Sequence, residues 1–278
     1  MRKQFGRDDW KNLTLKQKIG QTLIHMPNPE AEKEKYGSLE NFLKENPVSG
    51  IFSLNRGGEN LAKNLLERYK EYLDASEIPL IQVDDMEFGA GSNIDDLTAL
   101  PHVMTLGAAG SEELAYRYGR SIGKEARCAG VAWAFSNVVD LSVNPLNPTT
   151  NHRAVSDDPD LVARMVSQVV KGMQENGVAG TLKHFPGDGT DFRDHHLCTS
   201  RNNYSKEEWL NKSGKAFQKV IDSGVYSIMP GHISLPAFQQ QKIKGLYPPA
   251  TLSYELLTTL LKEQMGFDGV IVSDALVM

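Results

Sequence analysis

Residues 158 to 185 have the sequence DPDLVARMVSQVVKGMQENGVAGTLKHF. In its first part apolar residues recur every three or four positions, Pro159 suits a first helical turn, and Gly177 stands where a helix would end. The last part, VAGTLKHF (178–185), is an apolar run that becomes polar at its end, which is typical of a buried parallel strand. These residues therefore predict a helix followed by a strand with polar groups at its carboxyl end.

The same alternation of helix and strand extends from the first fifty residues to the end of the chain. The other predicted strands are 19–26, 49–54, 79–84, 131–136, 225–232 and 269–274, of which 19–26 can also begin as helix. The other predicted helices are 59–76, 111–130, 205–224 and 253–266. Such alternation is typical of α/β proteins with a parallel sheet. Because no internal repeat or low-complexity linker interrupts it, we predict one domain over residues 1–278.

Polar residues at the ends of the predicted strands favour a (β/α)8 TIM barrel over a doubly wound sheet. A barrel gathers all its strand ends on one face, whereas an open sheet gathers only those at a switch point. No GxGxxG motif follows the first strand. Because the chain stops just after the seventh strand, we predict a barrel truncated after strand 7, unless a strand between residues 85 and 130 escapes detection. The polar residues in question are Asp84, Asp85, Asn137, Lys183, His184, His232 and Asp274.

Composition restricts the class of protein. The chain has 278 residues, of which 40% are hydrophobic and 23% charged, and a formal net charge of −5, so we expect a globular protein without a nucleic-acid partner. No apolar stretch approaches the roughly 18 residues that span a bilayer, and no signal peptide is evident, so we expect a cytoplasmic protein without a membrane partner. Cys128 and Cys198 are too few for a disulfide framework, and we expect buried or idle thiols.

Five spaced motifs, two of which (KHFPG and D-x-H) lie in one loop, resemble one known family. The loop KHFPGDGTDFRDHH (183–196) concentrates titratable groups, and it follows PLIQVDDMEFG (79–89) and WAFSNVVDLSVNPLNPTTNHRAVSDDP (133–159) and precedes GFDGVIVSDAL (266–276). From about residue 47 to residue 278 the chain resembles the barrel domain of family 3 glycoside hydrolases, and within it the β-N-acetylhexosaminidase branch. The resemblance implies removal of terminal β-linked N-acetylglucosamine through a covalent intermediate, a small carbohydrate as partner, and no cofactor or metal.

The resemblance also implies the catalytic residues. Asp274 matches the nucleophile, and an aspartate directly after an apolar strand lies at the mouth of a barrel, although helix N-capping is the alternative role. His196 matches a histidine acid–base that is oriented by Asp194. Imidazole titrates close to neutral pH and can both protonate a leaving oxygen and activate water. His195 is an alternative acid.

Other matched positions are expected to hold the sugar. The resemblance assigns substrate binding to Asp85, Arg153, Lys183 and His184, and these groups can also pair with one another before the sugar arrives. Asp84 competes with Asp85 for its role, and Arg153 can instead form a structural salt bridge.

Several neighbouring residues are expected to shape the site. Asn144, Asn147 and Pro148 are predicted to form the loop around Arg153, and His232 and Arg56 can line the cleft. Phe88 replaces a glycine of the family's turn. Phe192 and Arg193 are larger than usual before the aspartate and can alter which leaving group fits.

Three alternative functions remain open. Strand-end residues such as His184, His196 and Asp274 can serve as ligands in a metal-dependent hydrolase. A β-glucosidase or a glycoside phosphorylase of the same family would share most of the motifs. A barrel without its last strand has two unpaired edges, so an inactive, truncated carbohydrate-binding protein is the third alternative.

Overall fold

The computed structural model describes residue 6, residues 8–53 and residues 59–278. Seven strands form one parallel sheet, and two others, β6 and β8, pair with each other. The strands are β1 (Ile24–His25), β2 (Gly50–Phe52), β3 (Ile81–Asp84), β4 (Trp133–Ala134), β5 (Ala179–Phe185), β6 (Ser200–Arg201), β7 (Ser227–Pro230), β8 (Ile233–Ser234) and β9 (Val270–Ile271).

The order of strands in the sheet is β1-β2-β3-β4-β5-β7-β9, so each of these seven strands lies beside the previous one of the seven along the chain. Sequential parallel order with intervening helices is the arrangement of a (β/α)8 barrel, and the sheet forms a curled half-barrel of this kind. The predicted α/β class and the seven parallel strands are confirmed. Residues 85–130, all of them described, contain no further strand of the sheet, so the alternative of an undetected strand there is wrong.

Helices connect the strands. They are α1 (Leu15–Gly20), α2 (Pro29–Tyr36), α3 (Leu39–Glu45), α4 (Leu61–Ala75), α5 (Met104–Ala109), α6 (Glu112–Cys128), α7 (Pro159–Gln174), α8 (Lys206–Asn211), α9 (Ser213–Asp222) and α10 (Glu255–Gln264), the last wound as a π-helix. Short 3-10 helices cover Asp9–Asn12, Ala90–Ser92, Asn151–Arg153, Pro236–Phe238 and Ala250–Leu252. Among the described residues, no helix combines the length and the apolar character needed to cross a membrane.

Three local predictions differ from the structure. Only Ile24–His25 of the predicted strand 19–26 form a strand, and its first two residues end α1, as the alternative of a helical start anticipated; α1 starts at a capping box between Thr14 and Gln17. The helix predicted over 205–224 is divided at Lys212 into α8 and α9. In α8, the buried indole N–H of Trp209 donates to the Pro186 carbonyl at 2.8 Å. Both cysteines are free and exposed, so of the two alternatives the buried thiols are wrong and the idle thiols stay a prediction.

Helices α6 and α7 pack closely against each other in the outer layer. A Cβ atom on Gly119 would lie 2.0 Å from the Val169 carbonyl oxygen, and one on Gly172 would lie 2.3 Å from the Tyr116 carbonyl oxygen. Glycine at both positions therefore lets the two backbones meet. This packing fixes α7 behind β5, the strand that ends in Lys183, His184 and Phe185.

Candidate active site

Four charged side chains form the most connected part of the site. The Lys183 ammonium, near the end of β5, lies 2.8 Å from Asp85 Oδ1 and 2.7 Å from Glu87 Oε1. The Arg153 guanidinium donates to both oxygens of the Glu87 carboxylate, at 2.8 and 2.7 Å, and to the Thr149 carbonyl at 3.0 Å. The structure thus brings Asp85, Lys183 and Arg153 together, with Glu87 as the carboxylate that joins the two cations.

The two cations control the charge of this network. Burial acts to raise the pKa of the Glu87 carboxyl, but Lys183 and Arg153 overcome that effect and hold the pKa well below its usual range. Burial acts to lower the pKa of Lys183, whereas Asp85 and Glu87 raise it above its ordinary value. Both side chains are therefore charged at neutral pH. Asp85, which is 36% exposed, keeps acceptor capacity for a ligand.

We expect Glu87→Gln to remove most of the acid dependence of stability that this network creates. Because the folded pKa of Glu87 is depressed, its contribution is complete above the ordinary glutamate pKa of about 4.3 and is lost as the pH falls toward the folded value. At neutral pH the variant should lose about 2 to 4 kcal/mol of unfolding free energy, since Lys183 and Arg153 lose their shared anion.

The measurement is urea unfolding of wild type and Glu87→Gln at several values between about pH 7 and pH 3. The wild-type free energy of unfolding should fall more steeply below about pH 5 than that of the variant. Glu263→Gln, which changes an exposed glutamate, is the matched control. Parallel pH profiles for wild type and Glu87→Gln would contradict the prediction.

Asp84 and its neighbour Asp85 have different surroundings. Asp84 is fully buried, its Oδ1 accepts a hydrogen bond from Asn93 Nδ2 at 2.8 Å, and its Oδ2 accepts one from the Ser53 hydroxyl. Burial raises the pKa of Asp84 to about 7, in spite of these two hydrogen bonds, which lower it. Of these two aspartates only Asp85 contacts the Lys183 ammonium, so the geometry places Asp85 rather than Asp84 in the site.

Asp274 lies just after β9, and its backbone is anchored. Its N–H donates to the Pro230 carbonyl at 3.2 Å, and its Oδ1 accepts from the Ala275 N–H at 2.8 Å. Its Oδ2 is buried and has no hydrogen-bond partner among the described residues. Burial acts to raise the pKa of Asp274, but the Ala275 N–H and nearby cationic groups, among them Lys183, outweigh it and lower the pKa. Asp274 is thus a fixed carboxylate with one uncommitted oxygen.

His184 is oriented by a second buried aspartate. Its Nδ1 lies 2.7 Å from Asp140 Oδ2, and its backbone N–H donates to Asp140 Oδ1 at 3.1 Å. Burial, together with His195 and Arg153, lowers the pKa of His184 well below its ordinary value. The ring is therefore neutral, with Nδ1–H donating to Asp140 and Nε2 left as an acceptor.

The imidazole of His195 lies close to His184 and Asp274. The potential ligand atoms of His184, His195 and Asp274 all lie within 4.8 Å of one another. The His195 side chain is 0% exposed, and neither ring nitrogen has a hydrogen-bond partner in the described part of the chain. The metal-ligand set considered from the sequence was His184, His196 and Asp274. In the structure the histidine that lies near His184 and Asp274 is His195 and not His196.

His196 and Asp194 form a carboxylate–imidazole pair. Asp194 Oδ1 lies 2.6 Å from His196 Nδ1 and accepts the His196 backbone N–H at 2.9 Å. The side chains of His196 and Asp194 are 48% and 31% exposed, and the His196 ring contacts His195 with a centroid distance of 4.6 Å. Burial acts to raise the pKa of Asp194, but the N–H groups of His196 lower it. The two side chains that the family resemblance paired are thus in contact, and Nε2 of His196 is not used in this contact.

The loop that carries Arg153 is hydrogen-bonded to the loop that carries Asp194 and His196. Asn147 Nδ2 donates to Asp188 Oδ1 at 2.9 Å and to the Asp191 carbonyl at 2.8 Å. Asn144 Nδ2 donates to the Thr190 carbonyl at 3.0 Å. Asn144 and Asn147 thus connect the segment that carries Arg153 to the segment that carries the Asp194–His196 pair.

His232 contacts the backbone next to Asp274. Its Nε2 lies 3.0 Å from the Ala275 carbonyl oxygen, and its Nδ1 lies 3.0 Å from the Thr251 hydroxyl. It thus binds the residue that follows Asp274. Arg56, the other residue expected to line the cleft, lies outside the described residues.

Three carboxylates of the site were not assigned from the sequence. They are Glu87, which joins Lys183 and Arg153, and the buried Asp140 and Asp188, which lie beside His184 and His195. A signal existed for Asp140, because an acid inside the apolar run VVDL must find a partner when it is buried. Glu87 stands two residues after Asp85 in the same motif.

The fold and the motifs match known proteins. The chain is 40% identical over 205 residues to the "Beta-N-acetylglucosaminidase/beta-glucosidase" of Cellulomonas fimi. The aligned region covers 72% of this chain and 36% of that protein. The solved structure of a glycoside hydrolase family 3 β-N-acetylglucosaminidase from Paenibacillus has 33% identity and a TM-score of 0.84, covering 96% of this chain and 50% of that one. The "Beta-glucoside phosphorylase BglX" has 31% identity and a TM-score of 0.86, covering 98% of this chain and 48% of that one.

The chain thus spans between about a third and a half of the length of these proteins. The family model described as "Glycosyl hydrolase family 3 N terminal domain" matches residues 14–278. The resemblance found in the sequence motifs is confirmed: this chain belongs to glycosyl hydrolase family 3.

Proposed function

We propose that this chain carries the catalytic site of a retaining glycosidase that releases terminal β-linked N-acetylglucosamine. The observation that carries the proposal is the Asp194–His196 pair, 2.6 Å between oxygen and Nδ1, beside an imidazole grouped with Asp274. A retaining enzyme needs a nucleophile and an acid–base group that act on the same anomeric carbon. The names of the similar proteins support the choice of sugar.

In the first step of this mechanism, Asp274 Oδ2 attacks the anomeric carbon and forms a glycosyl ester. The bond from that carbon to the leaving oxygen breaks, and protonated His196 gives its Nε2 proton to the oxygen, so the leaving group departs as an alcohol. Asp194 accepts Nδ1–H, which fixes the ring and stabilises the imidazolium before transfer. The lowered pKa of Asp274 keeps the nucleophile ionised at neutral pH.

In the second step, neutral His196 takes a proton from water while the water oxygen attacks the anomeric carbon. The ester bond breaks, Asp274 is released as a carboxylate, and the sugar leaves with its β configuration retained. Asp85, Lys183, Arg153 and His184 bind the hydroxyl groups of the sugar in this scheme. Their mutual contacts hold them in place before the sugar arrives, which lowers the cost of ordering them on binding.

The proposal is tested by trapping the ester with 5-fluoro-N-acetyl-β-glucosaminyl fluoride and mapping the labelled peptide by mass spectrometry. The good leaving group speeds ester formation, and the ring fluorine slows its hydrolysis. We expect one added sugar, on Asp274. A sugar ester on another residue, or turnover with inversion of configuration, would overturn the proposed mechanism.

A second candidate reaction is phosphorolysis, in which phosphate replaces water in the second step. The similarity to the β-glucoside phosphorylase supports phosphorolysis as the second candidate. A neutral imidazole repels a phosphate dianion less than a carboxylate base would. Product analysis with and without inorganic phosphate distinguishes the two reactions, since phosphorolysis yields a sugar 1-phosphate and hydrolysis yields the free sugar.

A further inference from the structure

Large apolar side chains stand exposed beside the Asp194–His196 pair. Phe192 and Leu197 flank the pair on its own loop and are 67% and 85% exposed. Leu146, on the neighbouring loop, is 74% exposed. We call these three side chains the apolar rim. Isolated exposed apolar residues are ordinary, but a group of them beside a catalytic pair indicates a binding surface.

Hydrogen bonds hold two members of the rim side by side. Asn147, which follows Leu146, donates to the carbonyl of Asp191, which precedes Phe192, at 2.8 Å. The Asp191 carboxylate accepts the Arg201 N–H at 2.7 Å, so the chain next to Phe192 is fixed on both sides. The two exposed side chains thus project from loops that are joined at adjacent residues.

A turn attaches the third member to the catalytic pair. The Leu197 N–H donates to the Asp194 carbonyl at 3.1 Å, and the same carbonyl accepts the Cys198 N–H at 3.1 Å. This turn contains His196, so the backbone position of Leu197 relative to the imidazole is fixed by the chain itself.

The surroundings of the rim disfavour anions. The Arg193 guanidinium donates to Asp191 Oδ2 from Nε at 3.0 Å and from a terminal nitrogen at 2.6 Å, so its charge is compensated. The Asp194 carboxylate is paired with His196, which is protonated when it donates to the leaving oxygen, so this pair then carries no net charge. An anionic group bound over the rim would therefore lose solvation against the apolar side chains without a free guanidinium at residue 193 to offset the loss.

The position of the proton donor determines which part of a substrate meets the rim. Under the proposed function, the leaving oxygen must approach His196 to about 2.6–3.2 Å. The leaving group continues from that oxygen, away from the sugar held by Asp85 and Lys183. Phe192 and Leu197, on the same short loop as His196, are then in reach of the leaving group.

We propose that the apolar rim is the leaving-group subsite and that it selects neutral leaving groups with an apolar face over anionic ones. An aryl ring and the C–H face of a second N-acetylhexosamine both have this chemistry. The inference rests on the proposed function, because it takes His196 as the group that protonates the leaving oxygen.

The test compares substrates that share the terminal sugar and differ in the leaving group, with the natural full-length protein. The substrates are 4-nitrophenyl N-acetyl-β-glucosaminide, diacetylchitobiose, a disaccharide with a lactyl carboxylate on its second sugar, and N-acetyl-β-glucosaminyl fluoride. We expect Phe192→Ala and Leu197→Ala each to lower kcat/KM about tenfold for the aryl glycoside and chitobiose. The loss for the fluoride, which is too small to reach the rim, should be below about twofold. In the wild type, the anionic disaccharide should react at least about tenfold more slowly than chitobiose.

Leu210→Ala, which truncates an exposed leucine on α8, is the matched control and should leave all four rates unchanged. Equal losses on all substrates would assign the rim a structural role and overturn the inference, as would unchanged rates in both rim variants or preference for the anionic disaccharide. Failure of the proposed function is distinguishable, because the wild type would then turn over none of the four substrates.

Discussion

Asp274→Ala is expected to abolish turnover, with kcat falling by about 10⁴-fold or more. The carboxylate supplies the electron pair that forms the ester, and alanine has no group to replace it. The structural cost should be small, since the side chain's only described hydrogen bond is the one that Oδ1 accepts from the Ala275 N–H. Such a bond contributes about 1 kcal/mol, so the variant should remain folded in a thermal unfolding experiment.

Adding azide to the Asp274→Ala variant tests whether Asp274 acts as the nucleophile. In the space left by the carboxylate, azide should attack the anomeric carbon of an activated aryl substrate and give the glycosyl azide of α configuration. Asp268→Ala, which removes an exposed aspartate six residues earlier, is the control and should retain wild-type rates. Wild-type turnover in Asp274→Ala, or an azide product of β configuration, would remove Asp274 from the role of nucleophile.

The fold was predictable wherever one face of an element is apolar. Helix α7 and strand β5 follow their predicted bounds closely, because Pro159 and Gly177 mark the helix ends and the strand is almost entirely buried. Helix α2 has the sequence PEAEKEKY, which lacks an apolar stripe, so periodicity gave no signal for it. Its end signals, Pro29 at the start and Gly37 in the left-handed conformation, were present in the sequence and were not used.

The site was predictable only as far as local motifs extend. The D-x-H motif, through the family resemblance, implied the pairing of Asp194 with His196, and both groups belong to one turn. The partners of Arg153 and His184 are 66 and 44 residues away, at Glu87 and Asp140. Spacing along the chain does not determine which of many acids meets a given cation, since that depends on the order and register of the strands.

Two adjacent histidines could not be separated by sequence alone, and the structure gives them opposite surroundings. His195 is buried, is grouped with Asp274, and has only a distant carboxylate, with Asp188 Oδ2 3.9 Å from its Nε2. His196 is half exposed and bonded to Asp194. A general acid needs a fixed tautomer and an accessible nitrogen, and of these two histidines only His196 is both exposed and hydrogen-bonded to a carboxylate.

We therefore expect His196→Ala to lose about 10²- to 10⁴-fold in kcat/KM on diacetylchitobiose, whose leaving group needs a proton. On a 2,4-dinitrophenyl glycoside, whose leaving group departs as a stable anion, the loss in kcat/KM should be below about tenfold. Ester hydrolysis should then limit kcat, because no base activates water. Azide, which needs no such base, should restore kcat and give the glycosyl azide of β configuration.

His195→Ala is the matched variant, since it removes the adjacent imidazole and leaves the Asp194–His196 bond in place. Its loss in kcat/KM should be similar for both leaving groups, because a buried ring beside Asp274 affects the reaction with either substrate, and azide should give no rescue. If instead His195→Ala shows the dependence on the leaving group and the β-azide product, the proton donor is His195. The half-exposed pair would then have no part in proton transfer, and the leaving-group subsite built around it would have to be abandoned as well.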